Sequence, residues 1–159
     1  MPERERTIIS DSPEATHAIA RAMARRLVPG DTVLLQGDVG AGKTHFARGV
    51  IGALLDRPED IPSPTYTLVQ SYAGRTGEIW HADLYRLSDA TELEELGLFA
   101  AFSDVICLVE WPDCLGPERP ADALLIAMHA PGDAEDRRVL TFSWTAPKWD
   151  DRLAEITHG

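Results

Sequence analysis

The sequence predicts a three-layer α/β domain, and three observations carry that reading. A short apolar run at residues 32–36 leads into a glycine-rich loop and then into a segment with helical spacing. Further apolar runs return at 105–109 and 123–130. Capped helical segments alternate with these runs, as layered α/β chains require. At 159 residues the chain suits a single domain over residues 1–159, a size that buries roughly 70% of its unfolded surface.

Taken in order, residues 7–10 read as a short edge strand. Ser12-Pro13-Glu14 is a helix start, with a capping hydroxyl, a proline at the first helical position and an acid at the positive dipole end. Ile19, Ala22, Met23 and Leu27 then share a face, and Pro29-Gly30-Asp31 ends the helix. Residues 32–36 are apolar and bounded by turn residues, the pattern of a buried parallel strand. Over residues 43–55 helical spacing returns, with Phe46, Val50 and Leu54 in one row and Ala47, Ile51 and Leu55 beside it. Pro58, Pro62 and Pro64 make residues 56–64 a loop. Residues 67–72 and 78–82 flank Gly74-Arg75-Thr76-Gly77 as a hairpin. Ser88 or Asp89 caps a short acidic helix through Leu96, and Gly97 stops it. Residues 105–109 form a second buried strand, 123–130 and 138–144 are further strands read as antiparallel, and 148–157 make a terminal helix.

Charge restricts the partners. Acids outnumber bases 26 to 15, a net charge of −11, whereas a protein that grips nucleic acid alone neutralises phosphates with a basic patch. The densest basic group, Arg21, Arg25 and Arg26, reads as the solvated face of the first helix. DNA binding is therefore not expected, and work on RNA is expected to pass through a partner protein. The opening Met-Pro-Glu-Arg-Glu-Arg lacks the apolar core of a signal peptide. No apolar run approaches the ~20 residues of a membrane span. Cys107 and Cys114 form no Cys-x-x-Cys pair. A reduced, cytoplasmic setting without a membrane partner is the expectation.

The chemistry concentrates in Gly37-Asp38-Val39-Gly40-Ala41-Gly42-Lys43-Thr44, which matches Gly-x-x-x-x-Gly-Lys-Ser/Thr throughout. The glycines let the backbone curl so that successive N–H groups point at phosphate oxygens. The loop ends at a helix N-terminus, whose dipole favours anions. Lys43 can reach the outer phosphates, and the Thr44 hydroxyl can ligate Mg²⁺. The expected ligand is a magnesium–nucleoside triphosphate.

Such a loop needs a carboxylate at the end of another buried strand. Glu110 ends the apolar run 105–110, and Asp83 ends residues 78–83. Glu110 better fits the metal, because its strand reads as central. Asp83 is then placed to orient or deprotonate the attacking water. Trp111 can stack on a ring or simply pack, and Cys107 reads as a small core hydrophobe. The five histidines show no metal-ligand spacing. Guanine-reading proteins carry Asn/Thr-Lys-x-Asp; the nearest text, Pro147-Lys148-Trp149-Asp150, lacks the first amide or hydroxyl, which favours ATP.

Further blocks follow the loop in order: Phe46-Ala47-Arg48-Gly49, Ser63-Pro64-Thr65-Tyr66-Thr67-Leu68-Val69, His81-Ala82-Asp83-Leu84-Tyr85-Arg86-Leu87, Glu94-Glu95-Leu96-Gly97-Leu98, and Glu110-Trp111-Pro112. In this series the chain resembles the TsaE family, small P-loop ATPases required in bacteria for threonylcarbamoyladenosine modification of transfer RNA. The loop alone is generic; the combination across residues 37–112 is specific. The resemblance implies a P-loop NTPase fold with a mixed, mainly parallel central sheet. It implies that Thr44 and Glu110 hold Mg²⁺, that Asp83 sits at the γ-phosphate, and that Thr65 belongs to a nucleotide-sensing loop rather than to a plain Ser-Pro turn. It also implies partners, the TsaD and TsaB proteins, with transfer RNA reached through them and a weak ATPase resetting the complex between rounds. His45 stands where the family commonly has Thr or Ser, at a position that can contact the α-phosphate, and Asp113 shortens the usual acid or amide. Arg138 is a further candidate contact to the nucleotide.

Two other functions stay open on sequence alone. A small-molecule kinase would share the loop, but there is no arginine-rich lid and no second glycine-rich acceptor motif. A binding switch would use ATP to order residues 62–72, with hydrolysis incidental.

Overall fold

A computed structural model describes residues 3–38, 41–57, 69–85, 87, 91–132 and 135–157. Val39, Gly40, Thr65 and the proposed helix caps Ser88 and Asp89 lie outside them. In chain order the elements are β1 (Arg4–Ser10), α1 (Pro13–Ala24), β2 (Thr32–Gln36), α2 (Lys43–Leu54), β3 (Val69–Gly74), β4 (Gly77–Asp83), α3 (Thr91–Leu96), α4 (Leu98–Ala101), β5 (Ile106–Glu110), β6 (Leu124–His129), β7 (Arg138–Trp144) and α5 (Lys148–Thr157), with 3₁₀ turns over Pro112–Glu118.

The two apolar runs read as buried strands lie side by side in the middle of a seven-stranded sheet ordered β1-β7-β6-β2-β5-β4-β3. β2 pairs parallel with both β5 and β6, and β4 pairs parallel with β5. β7 is antiparallel to β6, β1 to β7, and β3 to β4. β1, reversed twice, runs with the central four, so five of the seven strands point one way and the sheet is mixed but mainly parallel. The antiparallel expectation for residues 123–130 and 138–144 holds for β6 against β7, while β6 is parallel to β2 on its other side. The reason is the crossover: the chain leaves β5, passes β2 and re-enters the sheet beyond it.

Alternation along the strands builds two cores. Val33, Leu35, Ile79, Ile106 and Leu108 point to one face and pack with Met23 of α1, Phe46 and Val50 of α2, and Trp149 and Leu153 of α5. Leu34, Ala82 and Val109 point the other way and meet Leu93 of α3, Leu98 of α4 and Leu115. Helices thus cover both faces, which makes the three layers.

Ser12 caps α1, its hydroxyl oxygen accepting the Ala15 N–H at 3.0 Å. The buried stripe is Thr16, Ala20, Met23 and Ala24, whereas the expected Ile19 and Ala22 are only half-buried. The rotation follows from a close helix crossing: a Cβ on Gly49 of α2 would lie 2.8 Å from the Ala20 Cβ, so small residues set the contact. α1 also ends at Ala24, earlier than Pro29. The following residues turn instead, and Asp31 accepts the Val28 N–H at 2.8 Å.

The hairpin forms as expected, with Gly74 opposite Gly77. Gly97 (φ +80°) stops α3, and it also launches α4, which the sequence pattern did not suggest. The terminal helix spans Lys148–Thr157. It is latched by Asp31, which is 1% exposed and accepts Lys148 Nζ at 2.9 Å and Arg152 Nη1 at 2.7 Å. Among the described residues no helix is long and apolar enough to cross a membrane.

Candidate functional site

At the C-terminal end of β2 the chain turns sharply into α2. Gly37 sits at φ +150°, and any Cβ there would run into the Met128 carbonyl oxygen, so only glycine fits. Gly42, at φ +105°, begins the helix. Lys43 is 5% exposed and folds back on its own loop, donating to the carbonyls of Gly37 at 2.6 Å and Asp38 at 2.8 Å. Ala41 is buried and donates its N–H to the Asp38 carbonyl at 3.0 Å.

The carboxylates arrive because neighbouring parallel strands end together. Glu110 of β5 is in register with Leu35 of β2 and Asp83 of β4, which puts all three strand ends beside the loop. The Thr44 hydroxyl donates to Glu110 Oε1 at 2.8 Å, and His81 Nε2 lies 2.7 Å from Glu110 Oε2. Asp83 Oδ1 accepts the Tyr85 N–H at 3.1 Å. Trp111 follows β5 at φ +61°, the sole non-glycine with positive φ among the described residues. Its ring lies 4.2 Å beneath Lys43 Nζ and 4.8 Å from the Tyr85 ring.

Lys43, Thr44, His45, Asp83, Glu110 and Trp111 line one cavity of about 340 Å³, completed by Gly42 and Tyr85. Burial holds the Lys43 amine below the ordinary lysine value, with Glu110, Asp83 and Asp38 opposing. Burial, with the nearby charge of Glu110 adding to it, holds the Asp83 carboxyl above the ordinary carboxylate range against the Tyr85 N–H, His81 and Lys43. The chemistry of this donor set is definite. A hydroxyl and a carboxylate oxygen in contact are hard ligands of the kind Mg²⁺ takes, and a lysine amine at a helix N-terminus receives anions.

A family model described as "Threonylcarbamoyl adenosine biosynthesis protein TsaE" matches residues 10–139. The chain belongs to the TsaE family. The TsaE protein of Bacillus subtilis is 35% identical over 147 residues, covering 92% of this chain and 90% of that relative. The TsaE of Rickettsia felis is 40% identical over 108 residues, which are 68% of this chain and 63% of the relative. Both carry the description tRNA threonylcarbamoyladenosine biosynthesis protein. The crystal structure of YdiB from Bacillus subtilis has a TM-score of 0.76 to this chain at 28% identity, covering 99% of this chain and 97% of that one. As a TsaE member the chain belongs to transfer-RNA threonylcarbamoyladenosine biosynthesis, and its fold is the P-loop NTPase fold.

In this TsaE chain His45 lines the main cavity and also reaches α1, whereas Arg138 stands apart. His45 Nε2 lies 3.1 Å from the Pro13 carbonyl, its ring 6.1 Å from that of His17, so α1 claims its outer edge. Arg138 lines a second cavity of about 170 Å³ with Pro13, Thr16 and Asp136, and Gly42 and His45 line both this cavity and the main one. Its Nη1 donates to the carbonyls of Glu135 at 3.0 Å and Arg137 at 2.8 Å. Tyr85 and His81 were not singled out from the sequence. His81 could have been, because it sits two residues before Asp83 and so on the same face of β4.

Proposed function

We propose that the chain is a Mg²⁺-dependent, cytoplasmic ATPase that binds the TsaD–TsaB complex and supports repeated rounds of threonylcarbamoyl transfer to the adenosine next to the transfer-RNA anticodon. The observation that carries this reading is the meeting of Lys43, Thr44, Asp83 and Glu110 in one cavity at a helix N-terminus.

Each side chain has work suited to its position. Lys43 exchanges its two loop carbonyls for the outer phosphates, anions that its buried amine attracts more strongly than neutral oxygens. Thr44 and Glu110 would hold Mg²⁺, which neutralises phosphate charge. Asp83, held above the usual carboxylate range, suits the orientation or deprotonation of a water. Trp111 fixes Lys43 from below. Thr65 is assigned to the nucleotide-sensing loop by the family motif alone. ATP is favoured over GTP for a structural reason besides the missing motif. Lys148 is tied to Asp31 and Trp149 is buried, so residues 147–150 brace α5 rather than present a base-reading edge.

The test is hydrolysis of Mg²⁺–ATP by the purified protein, alone and with TsaD plus TsaB, using Lys43→Ala as the blank. The expected result is slow activity that rises with the partners and falls roughly 10²–10³-fold in the variant. Activity indifferent to the partners would remove the proposed role in the complex. Faster phosphate transfer to a small acceptor than to water would make the protein a kinase.

A further inference from the structure

His81 is a buried group of the site that neither the loop motif nor the threonine–glutamate pair accounts for. It is 0% exposed, and Glu110 is 2% exposed. Glu110 ends its strand on rotatable bonds, and one hydrogen bond from Thr44 to Oε1 leaves the carboxylate plane free to swing. The contact of His81 Nε2 with Oε2 at 2.7 Å fixes that plane from the opposite side. The reach is set by the sheet: β4 lies parallel beside β5 with Asp83 opposite Glu110, and His81 is two residues back on the same face.

The ring is arranged for the carboxylate and not for the core. A carboxylate oxygen only accepts, so Nε2 carries the hydrogen of this bond. The other nitrogen, Nδ1, is buried with no partner among the described residues. A buried polar atom without a partner destabilises the fold, so the bond made by Nε2 is what offsets the burial of this ring. Among the described residues, the Nε2 contact with Glu110 is thus the hydrogen bond that the ring makes.

We propose that His81 is a positioning residue: its Nε2–H holds Oε2 of Glu110 so that Oε1 and the Thr44 hydroxyl face a divalent cation together, and it thereby sets the affinity of the site for Mg²⁺. Hydrogen bonds of this kind behind a metal-ligating carboxylate are commonly worth 10–100-fold in metal affinity. The inference rests on the magnesium–nucleotide reading above and deepens it.

The test measures binding of a non-hydrolysable ATP analogue by calorimetry, first in EDTA and then across a Mg²⁺ series, for wild type, His81→Leu and His81→Gln. All three are expected to bind alike in EDTA. His81→Leu is expected to need roughly 10–100 times more Mg²⁺ to reach the tightened affinity. His81→Gln, which returns an N–H at similar reach, is expected to recover most of that loss. A folded His81→Leu with the wild-type Mg²⁺ response would overturn the role of His81 and leave the magnesium–nucleotide reading standing. A wild type whose analogue affinity ignores Mg²⁺ would overturn both. Should the leucine variant not fold, nitrogen spectra of ¹⁵N-histidine wild type decide. The expected ring is the Nε2–H tautomer, its signal moving when Mg²⁺ joins the analogue; a signal blind to Mg²⁺ overturns the proposal.

Discussion

Asp83 and Lys43 are both held in the fold away from their ordinary proton affinities, the carboxyl raised and the amine lowered, chiefly by burial. For Asp83 the consequence for stability has a definite sign. The unfolded chain releases the proton at the ordinary value, while the folded chain keeps it to higher pH. Between the two values the fold binds more protons, so stability falls as pH rises through that window and stays lower above it. Asp83→Asn is therefore expected to melt higher than wild type at about pH 7, with the advantage shrinking below the ordinary carboxylate range near pH 4. Thermal unfolding of the nucleotide-free proteins across that range checks this; an equal or lower melting point for the variant at about pH 7 would contradict it. At this scale the sequence showed Lys43, Thr44, Asp83 and Glu110 through motif and strand-end position. Its spacing puts His81 on the strand face of Asp83, but only the pairing of β4 with β5 brings that ring to Glu110.

Among the elements, β2 and α5 fall on the expected bounds and α2 ends one residue short of them; turn residues bound β2 and apolar spacing marks α2. α1 departs in face because Gly49, distant in sequence, draws it close, and in length because the residues after Ala24 turn locally, with Asp31 accepting the Val28 N–H. Asp31 also governs α5. Removing its carboxylate strips Lys148, Arg152 and the Val28 N–H of one shared acceptor. The two cations are partly exposed and can turn to water, which moderates the loss. Asp31→Ala is expected to cost about 2–3 kcal/mol in urea unfolding and to speed amide exchange in α5 more than in α2. A loss within ~0.5 kcal/mol would mean that Trp149 and Leu153 hold the helix without the latch.

The whole molecule carries a net charge of −11, which opposes an unaided grip on a polyanion. At near-physiological salt the chain alone is expected to form no complex with transfer RNA at micromolar concentration, and to enter one when TsaD and TsaB are present. Electrophoretic mobility measures both. A tight, salt-sensitive complex of the isolated chain would assign RNA contact to this protein itself. The fold gathers its chemistry at one end of the sheet: β2, β4 and β5 finish together, beside the first turn of α2.

The sequence by itself determined the layered α/β class, the glycine-rich motif of residues 37–44, the strand-end acids and the family, because each is written in apolar periodicity or in motifs that can be read in order along the chain. Strand order, the parallel seat of β6 beside β2, the buried face of α1 and the His81–Glu110 contact were decided by the tertiary structure. Each of those joins residues far apart in the chain, where spacing and propensity carry no signal and only packing chooses the partner.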